Sequence, residues 1–331
     1  MLVSIVIPAY NASATIGQCI EGCLAQTYEP LEIMVVDDGS TDDTKEIVRQ
    51  FEVALIEADH GGPAAARNRG AKEAHGEIVV FTDSDCVPER GWIEKLVSGF
   101  EEDIAGVGGS YAIANSQSKL ATLVHKEIMM RHERIKEDAD FLGSFNVAYR
   151  RDEFLESGGF DENFKHASGE DNDLAYRIHD AGWRLRFMPD ARVAHYHPDR
   201  LWPYLRAQFR HGFWRMKLYR KHWGRAGGDQ YAGLIDLVGP PWVLVTIFLM
   251  FFTTAWEYTN LPYFDVLNNL TFAVMISYFA SRLFMPFRML GRLDDVEYVL
   301  FFFLAVLRDI ARGLGMVWGI VWFMVLRRGT I

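Results

Sequence analysis

The chain has 331 residues, half of them hydrophobic and 14% aromatic, enough for one large domain or two smaller ones with ample core material. Its formal net charge of −10 argues against a general nucleic-acid binder. That charge is unevenly spread: residues 1–200 carry 20 Lys and Arg against 36 Asp and Glu, whereas residues 201–331 carry 14 against 8, so two regions with different surroundings are expected.

The first two-thirds alternate between strand-like and helix-like segments. Leu2–Ile7 is an apolar, β-branched run stopped by Pro8. Ala12–Gln26 then carries Ile16, Cys19, Ile20, Cys23 and Leu24 at helical spacing, with Ser13 as the expected cap. Leu31–Val36 forms a second buried run, broken by Asp37-Asp38-Gly39-Ser40. Ser40 or Thr41 is placed to cap the next helix, whose apolar face is Ile47, Val48 and Phe51. Val53–Ile56 and Ile78–Thr82 supply further strands on either side of an Ala-rich helix, Pro63–Ala74. Continuously apolar strands in this alternation predict an α/β fold, a mostly parallel sheet covered by helices on both faces. Ligands of such sheets bind beyond the carboxyl ends of the strands, where Asp37, Asp38, Asp83 and Asp85 all fall.

The composition changes near residue 200. Residues 201–225 hold seven Lys and Arg side chains and no acid, interleaved with aromatic and apolar residues such as Trp202, Phe209, Phe213 and Tyr219. This pattern predicts an amphipathic helix at a membrane surface, facing anionic headgroups. Leu237–Trp256 is twenty residues without a charge, long enough to span a hydrocarbon core, and its Pro240-Pro241 pair falls near the start. Leu267–Phe287 is a second candidate span, with Arg282 near its end in a position to snorkel. Val299–Leu326 is interrupted by Arg308, Asp309 and Arg312; it is either a third span with a buried ion pair or a helix partly in the interface. The expected organisation is an α/β domain over 1–200, an interfacial helix and linker over 201–236, and two or three spans over 237–331. Arg residues in the loop Gly291–Glu297 and in the tail at Arg327-Arg328 favour an even number of crossings with both on the cytoplasmic side. No basic-then-apolar leader opens the chain, so no signal peptide is expected. Cys19, Cys23 and Cys86 are too few for a disulfide framework and read as small core residues in a reducing compartment.

Two carboxylates one residue apart at the end of a buried strand, Asp83-Ser84-Asp85, can grip a divalent cation that in turn holds a diphosphate. Alone, such a triplet is a weak signal and far more often a solvated turn. It stands in order with Ser4-Ile5-Val6-Ile7-Pro8-Ala9-Tyr10-Asn11, Val35-Val36-Asp37-Asp38-Gly39-Ser40, Gly62-Pro63-Ala64-Ala65-Ala66-Arg67-Asn68-Arg69-Gly70, Gly169-Glu170-Asp171-Asn172-Asp173 and Val193-Ala194-His195-Tyr196-His197. In that order and spacing the segments, covering roughly residues 1–220, resemble family 2 glycosyltransferases, inverting enzymes with the GT-A nucleotide-sugar-binding fold.

The resemblance implies roles. Pro8, Tyr10, Asp37, Asp38, Arg67, Asn68 and Ser84 would bind the nucleotide sugar, UDP- or GDP-linked, with Asp38 or Asp37 accepting from base or ribose. An Asx-turn is the alternative for either aspartate. Asp83 and Asp85 would hold Mg²⁺ or Mn²⁺, joined by His195 or His197; an imidazole ligand would favour Mn²⁺. Asp171 would be the base that takes the acceptor's proton in a single inverting displacement, and Glu170 would orient the acceptor. Asp173 and Arg177 read as a salt bridge within the same helix. Gly143–Arg150 resembles the family's acceptor-side strand, and Gly158-Gly159-Phe160-Asp161 its usual turn. Gln208-Phe209-Arg210-His211-Gly212 departs from the Gln-x-x-Arg-Trp motif of processive relatives, which argues against a polymer synthase.

The expected protein is therefore a multi-pass cell-membrane glycosyltransferase with its catalytic domain in the cytoplasm. It would act by a metal-dependent single displacement with inversion on a lipid-linked acceptor. A polyprenyl-phosphate monosaccharide synthase shares the same motifs. A catalytically inactive membrane-bound sugar-binding or scaffold protein is the rival from another class, against which the intact acidic pairs count. A nucleotidyltransferase would need a basic phosphate-gripping loop near the N-terminus, and Ala9–Thr15 has no Lys or Arg.

Overall fold

A computed structural model describes residues 1–166, 168–225, 227, 230–231, 233–257, 262–288, 291 and 294–326. Packing divides the chain into two units, Met1–Asp199 with Asp229–Tyr231, and Arg200–Gly228 with Ala232–Ile331.

In the first unit the elements run β1 (Val3–Ala9), α1 (Ile16–Leu24), β2 (Leu31–Asp37), α2 (Thr44–Val48), β3 (Ala54–Glu57), α3 (Pro63–Glu73), β4 (Ile78–Thr82), β5 (Cys86–Pro88) and α4 (Trp92–Ser98). They continue as β6 (Ile104–Ile113), α5 (Lys119–His132), β7 (Asn146–Arg150), α6 (Arg151–Glu156), α7 (Glu170–Asp180) and β8 (Arg184–His195). The strands form one sheet in the order β3-β2-β1-β4-β7-β6-β8-β5. β1 pairs in parallel with β2 and β4, β2 with β3, and β6 with β8; only β7 and β5 run antiparallel to their neighbours. The C-terminal ends of β1, β2, β4, β6 and β8 consequently share one rim.

The strands read as unbroken apolar runs because both faces are covered. Val3, Ile5 and Ile7 of β1 pack with Ile16, Cys19 and Ile20 of α1 and with Trp92 and Leu96 of α4. Val6, from the same strand, points the other way, into a layer with Ala66 and Ala71 of α3, Phe81, Phe154 and Leu174 of α7. Successive residues of a strand face opposite sides, so each face receives every second residue.

Several local expectations need correction. Pro8 does not stop β1, which runs on to Ala9. Pairing with β4 has ended at Val6 while pairing with β2 continues, so the missing N–H leaves no gap on the β4 side. Ser13 does not cap α1, whose N-cap is Thr15, and neither Ser40 nor Thr41 caps α2, whose N-cap is Asp43. Ser40 and Thr41 instead tie two loops together: Ser40 Oγ accepts from Asn11 N at 2.9 Å, and Asn11 Oδ1 accepts from Thr41 N at 2.8 Å and from Thr41 Oγ1 at 3.3 Å.

The second unit is helical: α8 (Leu201–Lys221), α9 (Leu234–Glu257), α10 (Phe264–Arg288) and α11 (Asp295–Gly319), the last continuing as a wider turn over Ile320–Val325. α9 starts one turn earlier than expected, which puts Pro240 and Pro241 inside it. Among the described residues α9 is the one helix long and apolar enough to cross a membrane, with a mean hydropathy of 2.0. The polarity of this unit is inverted. Arg282, Arg308 and Asp309 are each 1% exposed, while Phe248, Phe251, Phe272, Ile276 and Phe303 are all more than half exposed. Arg282 does not snorkel: Nη1 lies 3.0 Å from Asp309 Oδ2, and Nη2 donates to Ile235 O at 3.0 Å. Tyr278 Oη donates to the same Asp309 oxygen at 3.1 Å. The buried ion pair expected for 299–326 is present, with Arg282 of α10 as the partner of Asp309. Arg292, Arg327 and Arg328, which carry the expectation about loop orientation, lie outside the described residues.

Candidate active site

The shared rim gathers the acidic segments. β4 is buried along its whole length and releases the chain at Asp83 into a turn closed by Cys86 N donating to Asp83 O at 3.0 Å. Arg67 rises from the middle of α3 and is 1% exposed. Its Nη2 lies 2.5 Å from Asp83 Oδ1 and its Nη1 3.4 Å from Glu170 Oε1. One guanidinium thus joins the end of β4 to the start of α7, and the three segments meet at a single point. Gly169, at φ 99°, makes the left-handed bend that turns the chain into α7 there.

Glu170 is buried, and its Oε2 accepts from Ser168 N at 2.6 Å. Burial, reinforced by the neighbouring Asp171, pushes its carboxyl up to about 8, and the partial contact with Arg67 does not reverse this. Glu170 therefore does not reach toward an acceptor as expected; it supports Arg67 from behind. Asp171 is half-buried and close enough to influence both Arg67 and Glu170 electrostatically.

On the other side of the Asp83–Cys86 turn stands His195. It is the direct cross-strand partner of Cys86 in the antiparallel β5–β8 pair. Its Nε2 lies 3.4 Å from Asp85 Oδ2. Burial alone would raise the Asp85 carboxyl, but the His195 imidazole outweighs it and holds the group below the usual range. Ligand atoms of Asp85, Cys86 and His195 lie within 4.8 Å of one another, close enough to surround one cation. Burial, with Asp85 and Asp83 alongside, pushes the Cys86 thiol well above its ordinary value, so Cys86 stays a neutral thiol. An oxygen and an imidazole nitrogen remain, a donor set that fits Mg²⁺ or Mn²⁺ completed by phosphate oxygens.

Of the two histidines expected as alternatives, His195 faces Asp85 and His197 stands behind it. His197 is 3% exposed, and both ring nitrogens are engaged: Nδ1 with His195 Nδ1 at 2.9 Å and Nε2 with Nδ1 of His125 at 3.2 Å. Burial, then His195 and His125, lowers it to about 3, so it is neutral at any ordinary pH.

The nucleotide-side residues divide. Both oxygens of Asp38 are used: Oδ1 accepts from Gly61 N at 2.7 Å, and Oδ2 accepts from Gly62 N at 2.9 Å while facing His60 Nδ1 at 2.9 Å. Asp37 accepts from Ser40 N through Oδ2 at 3.1 Å, the turn geometry weighed above. Its Oδ1 is buried and meets no donor among the described residues, a costly state that an incoming N–H or O–H would relieve. Of the two aspartates, Asp37 is the one with an oxygen that no donor meets among the described residues. Pro8 and Tyr10 sit at the same rim, and the exposed Tyr10 ring stacks on His60 with centroids 4.2 Å apart. Ser84 is half-buried in the turn between Asp83 and Asp85. Asn68 does not face the rim as expected: its Nδ2 donates to Phe160 O at 2.8 Å and Glu162 Oε1 at 3.0 Å, and its Oδ1 accepts from Phe160 N at 2.8 Å. Asp173 and Arg177 pair at 2.9 Å, and Arg177 also donates to Gly159 O at 2.6 Å.

His60 and His125 were not singled out in the sequence. His60 had a signal, lying just before the Gly62-Pro63 helix start, whereas His125 lies on α5 in a stretch with no motif at all.

Residues 4–155 match the model of the family described as glycosyl transferase family 2. Glycosyltransferase AglE of Haloferax volcanii is 34% identical over 224 residues, 63% of this chain and 71% of that protein. A glucosyl-dolichyl phosphate glucuronosyltransferase of the same organism is 31% identical over 217 residues, 59% of this chain and 69% of that protein. Among solved structures, the mannosyltransferase PcManGT from Pyrobaculum calidifontis in complex with GDP-Man and Mn²⁺ has the same fold. It superposes with a TM-score of 0.59 at 21% identity, covering 96% of this chain and 87% of that one.

Proposed function

The chain belongs to glycosyl transferase family 2, a glycosyltransferase with a GT-A-type fold, and on that premise we propose that it moves a sugar from a nucleoside diphosphate to a lipid-linked acceptor. The observation that carries this is Arg67, which draws Asp83 and Glu170 together at the rim where Asp85 and His195 also stand. Asp37 would read the nucleotide through its unpartnered oxygen, and Tyr10 would supply an aromatic surface beside it. Asp85 and His195 would hold Mn²⁺ or Mg²⁺, which when bound offsets charge on the departing diphosphate. Arg67 fixes Asp83 and adds positive charge on the same side. Asp171 would accept the proton of an acceptor hydroxyl as that oxygen attacks from the face opposite the diphosphate, which inverts the anomeric centre. Glu170 would act at a distance, by keeping Arg67 in place.

The acceptor is proposed from two supports. One relative is named for transfer to glucosyl-dolichyl phosphate. The helical unit supports a lipid setting independently, because its apolar side chains face outward and its charges inward. The multi-pass arrangement, with α9 and one or both of α10 and α11 crossing, α8 lying in the interface and the catalytic unit on the cytoplasmic side, belongs to the same proposal. The test is incubation with Mn²⁺, a panel of UDP- and GDP-sugars, and either dolichyl phosphate or glucosyl-dolichyl phosphate, followed by mass spectrometry of the lipids. Extension of the glycosylated lipid alone is expected. Product on bare dolichyl phosphate would instead make the protein a polyprenyl-phosphate monosaccharide synthase.

A further inference from the structure

Behind His195 three imidazoles form a row. His195 Nε2 faces Asp85 at 3.4 Å, His195 Nδ1 meets His197 Nδ1 at 2.9 Å, and His197 Nε2 meets His125 Nδ1 at 3.2 Å. The middle residue is held through its backbone and packed on one side of its ring. Asn115 clamps its backbone, donating to His197 O at 2.7 Å and accepting from His197 N at 3.1 Å. The Tyr111 ring meets it edge-on at 5.5 Å, itself stacked on Phe145 at 3.6 Å.

A neutral imidazole has one N–H donor and one acceptor nitrogen. In the all-neutral form, the one in which His195 can take a cation, two consecutive nitrogen–nitrogen contacts therefore lock the tautomers of the three rings to one another. In one arrangement His195 carries its proton on Nε2, toward Asp85. His197 then donates from Nδ1 to His195, and His125 donates from Nδ1 to His197. In the other, His195 donates from Nδ1 to His197, which donates from Nε2 to His125 Nδ1, and His125 holds its proton on Nε2. Only the second leaves a lone pair on His195 Nε2, which a cation requires. Passing from the first to the second removes a proton from His195 Nε2 and adds one at His125 Nε2, with no ring changing charge. His125 is half-buried, so its outer nitrogen can exchange that proton with water.

We propose that His125, acting through His197, sets the tautomer of His195 and so positions its Nε2 lone pair for the divalent cation. This rests on the assignment of Asp85 and His195 as cation ligands made above. His125 and His197 are positioning residues: an acceptor at position 125 is needed to take the His197 Nε2 proton.

The test measures Mn²⁺ uptake by the full chain in detergent, from the electron paramagnetic resonance signal of the free ion. His125→Leu removes the acceptor, and its Kd for Mn²⁺ should rise about 10- to 100-fold, the usual effect of losing such an outer partner. His125→Gln keeps a side-chain oxygen for the His197 proton and should restore affinity close to the parent's. Nitrogen-15 spectra of histidine-labelled protein should show protonated Nδ1 at His195 in the parent and the Gln variant, and protonated Nε2 in the Leu variant. Unchanged Mn²⁺ affinity in His125→Leu, or equal losses in Leu and Gln, overturns the proposal. A parent protein that takes up no Mn²⁺, or a His195→Ala variant that binds as well as the parent, overturns the cation assignment and this proposal with it.

Discussion

Arg67 is nearly inaccessible, yet it contacts two carboxylates from segments far apart in sequence. A guanidinium suits that place, because its planar fork serves two partners and it cannot shed its charge. It leaves Asp171 as the more accessible carboxylate of the pair at the start of α7. Asp171→Asn should lower kcat about 10²- to 10⁴-fold, the usual contribution of a general base, with little change in KM for the nucleotide sugar. Retention of full kcat would remove Asp171 from the mechanism. Glu170 makes a separate prediction about pH. Its carboxyl is raised from an ordinary 4.5 to about 8 in the folded protein. Between those values the native state holds a proton that the unfolded chain releases, so stability from this group is complete below about 4.5 and is lost as pH rises through about 8. Thermal melting of the parent against Glu170→Gln, from pH 5 to pH 9, should show the parent losing ground steadily to the variant. A constant difference across that range would mean that Glu170 is ionised throughout.

At the scale of elements, the glycines of the helical unit mark where backbones touch. A Cβ on Gly212 of α8 would fall 2.0 Å from Arg312 O on α11, and one on Gly315 of α11 would fall 2.0 Å from Phe209 O. Small residues at such crossings let two helices approach closely. Gly212 also falls near the place where processive relatives carry Trp, and the carbonyl of Arg312 leaves no room for any side chain there. Gly315→Leu should force α8 and α11 apart and lower the thermal midpoint in detergent; a midpoint equal to the parent's would show that the crossing tolerates separation. The alternation of strands and helices was legible in the sequence because buried parallel strands are apolar throughout. The boundaries of α1 and α2 were not, because Ser13, Ser40 and Thr41 look like caps while Ser40 and Thr41 bind the neighbouring loop. At the site, Asp83 and Asp85 could be read from their position at a strand end. The split between Asp37 and Asp38 could not, since it depends on which carboxylate the Gly61 and Gly62 amides reach. His125 was invisible for the same reason: a lone histidine on a helix has meaning only once β8 is beside it.

Over the whole molecule, the acidic first unit and the basic, apolar second one have opposite relations to their surroundings. The first buries apolar side chains on both faces of a sheet. The second buries Arg282, Arg308 and Asp309 and leaves phenylalanines outside. Asp309 pairs with Arg282 at 3.0 Å and lies 3.6 Å from Arg308 Nε, so Asp309→Ala would remove the carboxylate that both buried cations share, and breaking such a pair costs about 3–5 kcal/mol. Heating membranes or micelles containing the variant should release aggregated protein well below the parent's temperature; identical behaviour would mean that the pair contributes no stability. The same ion pair bears on how the chain is delivered to lipid. On the proposed multi-pass arrangement, with Arg282 on α10 and its carboxylate on α11, neither helix arrives at the bilayer self-sufficient. Each is a poor passenger alone, and their charges cancel only when both are inside. Biogenesis should therefore hold α10 at the translocon until α11 emerges from the ribosome, and the two should partition into the bilayer as one hairpin.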